Sequence, residues 1–158
     1  MRVAIVTISD SVSAGRTEDC SGPALRERCE KLGWQVVSAT VVADKADAIQ
    51  TLLSALADSG ASDLILTAGG TGIGPRDVTP EATSAVVQKL LPGISEKMRA
   101  EGQKQNPRAL LSRSVAGVRA QALIVNLPGS PRGAVESLDV VADLLPHAVD
   151  VLHGARHD

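Results

Sequence analysis

The run Thr67-Ala68-Gly69-Gly70-Thr71-Gly72-Ile73-Gly74-Pro75-Arg76-Asp77-Val78-Thr79-Pro80-Glu81 carries the densest chemistry in the chain. Four glycines in six positions, Gly69 to Gly74, let the backbone approach a ligand closely and expose successive N–H donors. The run ends as a helix start should: Thr79 as N-cap, Pro80 at the first helical position, Glu81 in the first turn. A glycine loop feeding a helix N-terminus favours anions, so a phosphate-bearing ligand is expected. The alternative is a turn that only reverses the chain. Two familiar phosphate loops are excluded. A Walker loop needs Gly-Lys-Ser/Thr, and no lysine lies between Lys45 and Lys89. The dinucleotide fingerprint needs Gly-x-Gly-x-x-Gly, and counting from Gly70 the last glycine falls on Pro75.

Two carboxylates attend this loop. Asp77 lies within it, and Asp44 ends the second predicted strand. Beside a polyphosphate such groups repel, by about 4 kcal/mol for unit charges about 4 Å apart at an effective dielectric of about 20. A magnesium ion held between carboxylate and phosphate oxygens reverses the sign. Asp44 and Asp77 are therefore candidate catalytic residues and Mg²⁺ ligands for Mg–ATP; the alternatives are a helix cap for Asp44 and an ordinary turn residue for Asp77. Replacing Gly70 by Val is expected to block ligand binding more than it disturbs the fold.

Two further segments end strands. Asn126-Leu127-Pro128-Gly129-Ser130-Pro131-Arg132 joins a strand to a helix, with Ser130 a candidate cap. Thr67, Asn126, Pro128, Gly129 and Ser130 join Gly69, Gly70, Thr71, Gly72 and Arg76 as candidate substrate contacts. The first strand runs into Ser9-Asp10-Ser11-Val12-Ser13, where Ser9, Asp10 and Ser13 are candidates against the alternative of a solvated loop. Ser112-Arg113 could meet an anion or simply start a surface strand. The histidines form no catalytic set: all three lie in the last dozen residues, and the His153/His157 pair lacks a third ligand. Cys20 and Cys29 have no zinc-ligand spacing and read as free thiols.

The elements that must position these residues alternate. Arg2 to Ile8, Gln35 to Val42 and Asp63 to Thr67 are apolar, β-rich runs that predict strands, with helices after Ser21 and over 46–57 between them. Helices follow Thr79 and span 94–104; strands follow at 114–118 and 121–127; a helix covers about 132–145, where Pro146 interrupts it, and 147–152 adds a last helical turn or two. This order predicts one α/β domain over residues 1–158, a doubly wound, mostly parallel sheet flanked by helices. Ligands of such sheets bind at the carboxyl ends of the strands. The loops at 9–19, 44, 68–78 and 128–131 should then share one edge.

Composition narrows the partners. A formal net charge of −2 and no basic tail argue against nucleic acid. One Trp, no Tyr and no Phe leave no base-stacking platform. No apolar run approaches a membrane span and the N-terminus is not a signal peptide, so the cytoplasm is expected.

With these residues in view the chain resembles the MoaB/Mog family, whose domain also occurs in gephyrin. The resemblance runs from Val3-Ala4-Ile5-Val6-Thr7-Ile8-Ser9-Asp10 through GGTGIGPRDVTPEAT to LLSRSVAGVR and LIVNLPGSPRGA. It implies molybdenum cofactor biosynthesis: transfer of AMP from ATP to the phosphate of molybdopterin, releasing pyrophosphate. It implies that Asp44 and Asp77 are catalytic and that Ser112 lies at the ligand site. It further implies a homotrimer, with hexamers in some members, and a molybdate-insertion protein downstream. The departures are small: Ala43 stands where the family often has Pro, and Gly102 stands where some relatives carry a hydroxyl, which argues against placing position 102 in the site. A second reading is a paralogue that binds molybdopterin without adenylylating it. A third, a scaffolding trimer, has no supporting residue.

Overall fold

The computed structural model describes residues 1–155. The pattern of apolar runs is explained by a six-stranded sheet with both faces covered. Strands β1 (Arg2–Ile8), β2 (Gln35–Val42), β3 (Leu64–Ala68), β4 (Lys89–Leu90), β5 (Ala116–Arg119) and β6 (Ala122–Leu127) lie in the order β2-β1-β3-β6-β5-β4. The first four are mutually parallel; β5 runs antiparallel to β6, and β4 antiparallel to β5. The expected doubly wound, mostly parallel sheet is present.

Side chains on a strand alternate between faces, and here both faces are core. Val3 and Ile5 of β1, Leu64 and Leu66 of β3, and Leu123 and Val125 of β6 pack on one side. They meet Leu25 and Cys29 of helix α2 (Ser21–Lys31), Met98 of α5 (Pro92–Gln105), Leu138 of α6 (Pro131–Val141) and Val149 of α7 (Leu145–Leu152). Ala4, Val6, Ile65 and Ile124 face the other side, against Ile49 and Leu53 of α3 (Ala46–Asp58) and Ala82 and Val86 of α4 (Thr79–Val86). A strand buried on both faces cannot alternate in polarity, which is why Leu64–Ala68 reads as a continuous apolar run.

Two polar residues inside these strands are structural. Thr67 and Asn126 are fully buried neighbours in the β3–β6 register. Asn126 Nδ2 donates to Thr67 Oγ1 at 3.0 Å and to Thr83 Oγ1 of α4 at 2.9 Å. Its Oδ1 accepts from the Val115 N–H at 3.1 Å. The amide is thus satisfied internally and ties β3, β6 and α4 together. Asn126→Ala leaves three polar groups unmatched and should lower stability by about 2–4 kcal/mol, read as a urea midpoint shift at constant slope.

Several boundaries differ from the sequence reading. The 9–19 segment is not all loop: α1 (Asp10–Ser13) opens on Ser9, whose hydroxyl accepts from the Val12 N–H at 3.3 Å. The helix after Thr79 stops at Val86, and Lys89–Leu90 pairs with β5. A 3-10 turn over Pro107–Leu111 follows α5, capped by Asn106, whose Oδ1 accepts from the Arg108 N–H. The break between the last two helices falls at 142–144, before Pro146 rather than at it, so that α7 begins at Leu145. Of the His153/His157 pair, His157 lies outside the described residues; His153 Nε2 donates to the Gln121 carbonyl at 2.9 Å. Cys20 is exposed and Cys29 buried, both free; burial pushes the Cys29 thiol up to about 11.

Candidate functional site

The carboxyl ends of β1, β2, β3 and β6 place the expected loops on one edge. Their junction is a backbone ridge. Gly69 N–H donates to the Leu127 carbonyl at 3.1 Å, and a Cβ on Gly129 would stand 3.3 Å from Gly69 Cα. Ser21 Oγ donates to the Gly129 carbonyl at 2.6 Å from the other side. Gly69 itself has φ +114°, and a Cβ there would stand 2.2 Å from the Ile8 carbonyl. Only glycine fits at this crossing.

The glycine loop is stitched to the helix it feeds. Thr79 Oγ1 donates to the Gly69 carbonyl at 2.9 Å, and Thr79 N–H to the Gly70 carbonyl at 3.2 Å. Thr79 is therefore not the N-cap; the cap position is Val78 and the hydroxyl holds the loop instead. This also corrects the expectation for Gly70. It sits at φ +69°, and a Cβ would come within 2.3 Å of Thr79 Oγ1 and 3.1 Å of Asp44 Oδ1. Gly70→Val should break the stitch first, costing about 1–3 kcal/mol in a denaturant titration, with lost binding as a consequence.

A cavity lies on each side of the ridge. The smaller, of about 360 Å³, is lined by Ser9, Asp44, Gly69, Gly70, Asp77 and Gly129 among others. The larger, of about 790 Å³ and mostly apolar, takes Thr71, Gly72, Ser112, Pro128 and Ser130. Ser130 caps α6 as expected, its Oγ accepting from the Gly133 N–H at 3.1 Å. The remaining candidates line neither cavity. Thr67 and Asn126 are enclosed in the network above. Ser13 is exposed at the end of α1. Asp10, Arg76 and Arg113 are committed to holding the loops.

Asp10 and Asp44 clasp each other. Asp10 N–H donates to Asp44 Oδ2 at 2.8 Å, and Asp44 N–H to Asp10 Oδ1 at 3.0 Å. The carboxylate of Asp44 thus serves the β1 end rather than capping α3, whose cap position is Lys45 without a side-chain bond. Arg76 closes the ring: its Nε donates to Asp10 Oδ2 at 2.9 Å and its Nη2 to the Asp44 carbonyl at 3.1 Å. The guanidinium holds the Asp10 carboxyl below the usual range. The Asp44 carboxyl is pushed up, first by burial and also by the charges of Asp10 and Asp77, against the pull of the Asp10 N–H and Arg76. Asp77 Oδ2 accepts from the Gly74 N–H at 2.8 Å and fills the concavity of the glycine loop.

Sequence reasoning missed most of the large cavity's far wall. Met98, Glu101 and Lys104 of α5, Arg108 of the 3-10 turn, and Glu136 and Asp139 of α6 face it across from the ridge. Gly102 also lines it, against the expectation for position 102; a Cβ there would stand 3.1 Å from Ala109 Cβ. On the small-cavity side the missed anchor is Asp19, which accepts from Thr7 Oγ1 at 2.8 Å and from the Gly22 N–H at 3.0 Å. The Thr7/Asp19 pair is visible only once β1 and the start of α2 are adjacent.

Residues 4–147 match the family described as "Probable molybdopterin binding domain". The chain belongs to this family. It is 41% identical over 156 residues to the molybdopterin adenylyltransferase of Helicobacter pylori, covering 98% of this chain and 89% of that protein. It is 39% identical over 162 residues to the molybdopterin adenylyltransferase of Escherichia coli, covering 98% and 79%. The crystal structure of the molybdopterin biosynthesis enzyme MoaB of Thermus thermophilus superposes with a TM-score of 0.91 at 44% identity, covering 99% of both chains. Sequence and fold thus agree on the family over nearly the whole chain.

Proposed function

We propose that this chain, like the relatives named molybdopterin adenylyltransferase, is such an enzyme, and that it transfers AMP from ATP to the phosphate of molybdopterin. The observation that carries the reading is the meeting of two cavities at one glycine ridge, with Asp44 and Asp77 facing the smaller. The larger, mostly apolar cavity has the volume for a flat pterin, and the smaller suits the nucleotide phosphates. The two reacting phosphates then meet over Gly69 to Gly72.

In the reaction an oxygen of the molybdopterin phosphate attacks the α-phosphorus of ATP. A P–O bond forms there, the bond to the β-phosphate oxygen breaks, and its electron pair leaves with pyrophosphate. The nucleophile is already anionic at neutral pH, so no strong base is needed. The chain's work is alignment and charge neutralisation.

The donor set fits a magnesium ion. Asp44 and Asp77 present hard carboxylate oxygens to one cavity, where burial first, and then the charges of Asp10 and Asp77, raise the Asp44 pKa. Among the described residues no cluster of three or more His, Cys, Asp or Glu forms a cage. The other ligands would be phosphate oxygens and water. Such an ion would neutralise charge developing on the polyphosphate.

The same reading includes a cytoplasmic location, a homotrimer or hexamer, and hand-over to a molybdate-insertion protein. These rest on the resemblance; among the described residues no helix is long and apolar enough to cross a membrane.

The test is a discontinuous assay with purified protein, molybdopterin, Mg²⁺ and ATP, with chromatography for adenylylated molybdopterin. Product is expected. Tight molybdopterin binding without product would instead make the chain a binding paralogue.

A further inference from the structure

We infer that Arg113 is a positioning residue that holds the Asp77-bearing loop from just behind the wall of the large cavity, rather than an anion ligand. The inference deepens the adenylyl-transfer reading and rests on it. Arg113 follows Ser112, which lines the large cavity, and precedes β5. Its backbone N–H donates to the Thr71 carbonyl at 2.9 Å. Its guanidinium then spans the glycine loop from end to end. Nε donates to the Gly72 carbonyl at 2.8 Å, and Nη2 to the Asp77 carbonyl at 2.9 Å. Nη1 pairs with the Glu81 carboxylate in the first turn of α4.

These four bonds have a consequence for the chemistry. The carbonyls of Thr71, Gly72 and Asp77 are drawn toward Arg113, which fixes the peptide planes around the loop. Asp77 is thereby held from its backbone on one side and from its carboxylate, through the Gly74 N–H, on the other. A guanidinium is suited to this because its planar fork serves several acceptors at fixed angles; a lysine ammonium reaches one place at a time. Glu81 balances the charge outside both cavities, and Arg113 in turn holds the Glu81 carboxyl below its usual range. Each guanidinium nitrogen carries one of these bonds, and Arg113 lines neither cavity, so its charge faces the loop rather than a phosphate. Because residues 112 and 113 are consecutive, the wall that meets one substrate and the arm that holds the loop toward the other move together.

The experiment compares wild type, Arg113→Lys, Arg113→Ala and Glu81→Gln in the full chain. Steady-state rates with molybdopterin and Mg–ATP are read beside the Gly74 amide and Asp77 carboxyl resonances. Arg113→Lys is expected to lower kcat at least 30-fold with KM for molybdopterin changed less than threefold, and to shift both resonances. Added guanidinium should restore part of the Arg113→Ala activity. Glu81→Gln, which keeps Arg113 and removes one anchor, should lower kcat three- to tenfold. It serves as the test if the Arg113 variants fail to fold. Overturning results are a raised KM with unchanged kcat, which would make Arg113 a substrate ligand, or unchanged Gly74 and Asp77 resonances. For Glu81→Gln, unchanged kcat and resonances overturn it equally. An inactive wild type would instead defeat the adenylyl-transfer reading, while the resonances still decide the role of Arg113.

Discussion

Asp77→Asn is expected to lower kcat for adenylyl transfer by about 10²–10³-fold while leaving the protein folded. The fold should survive because the side chain's one hydrogen bond, from the Gly74 N–H, needs only an acceptor, and the asparagine carbonyl supplies one. The shape is also conserved: the side chain fills the loop so closely that a Cβ on Gly72 or Gly74 would stand 2.8 and 2.9 Å from Asp77 Oδ2. What changes is charge on the wall of the small cavity. The effect should fall on kcat and on the Mg²⁺ concentration needed for half activity, with molybdopterin binding nearly unchanged, since Asp77 does not line the large cavity. Chromatographic initial rates across a Mg²⁺ series check this. Turnover equal to wild type would remove Asp77 from the chemistry.

The parts of this arrangement legible in the sequence are those in which one segment carries its own signal. The apolar runs of β1, β3 and β6 and the loops at the strand ends all follow from local residue types. β4 carried no such signal: it is two exposed residues whose strand character comes only from pairing with β5. Thr67 and Asn126 were legible as unusual but not in direction. A polar residue in an apolar strand signals either a ligand or a buried partner, and only the adjacency of β3, β6 and α4 shows that Asn126 bonds Thr67 and Thr83.

The far wall of the large cavity was illegible for a different reason. Lys104, Arg108, Glu136 and Asp139 come from three elements, and the carboxylates pair with basic groups away from the ridge: Glu136 with Arg132 and Asp139 with Arg28. Their spacing along the chain resembles ordinary solvated helix faces. Arg76 and Arg113 show the converse. Both were read as anion contacts by residue type, yet Arg76 bonds Asp10 and the Asp44 carbonyl, and Arg113 bonds loop carbonyls. A cation in a phosphate loop can neutralise the ligand or hold the loop, and the sequence does not distinguish the two.

Asp44→Asn should separate activity from stability. Activity is expected to fall about 10²-fold, because the carboxylate faces the small cavity beside Asp77. Stability at pH 7 should equal or exceed that of wild type. The Asp44 carboxyl titrates above its ordinary value of 3.8, with burial the first cause. An acid whose pKa is raised on folding binds its proton more readily in the folded state, so its ionised form weighs against folding at neutral pH. As pH falls through the raised value toward 3.8, wild type takes up that proton and gains stability; the asparagine variant has nothing to titrate there. The stability gap should therefore narrow as pH falls and be widest at neutral pH. The bond from the Asp10 N–H survives the substitution, since the asparagine oxygen can accept it. Urea titrations of both proteins from pH 7 to pH 4 read the difference directly. A variant less stable than wild type at pH 7 would mean that the Asp10–Asp44 clasp needs a charged acceptor. The group placed for chemistry would then also be one that the fold requires.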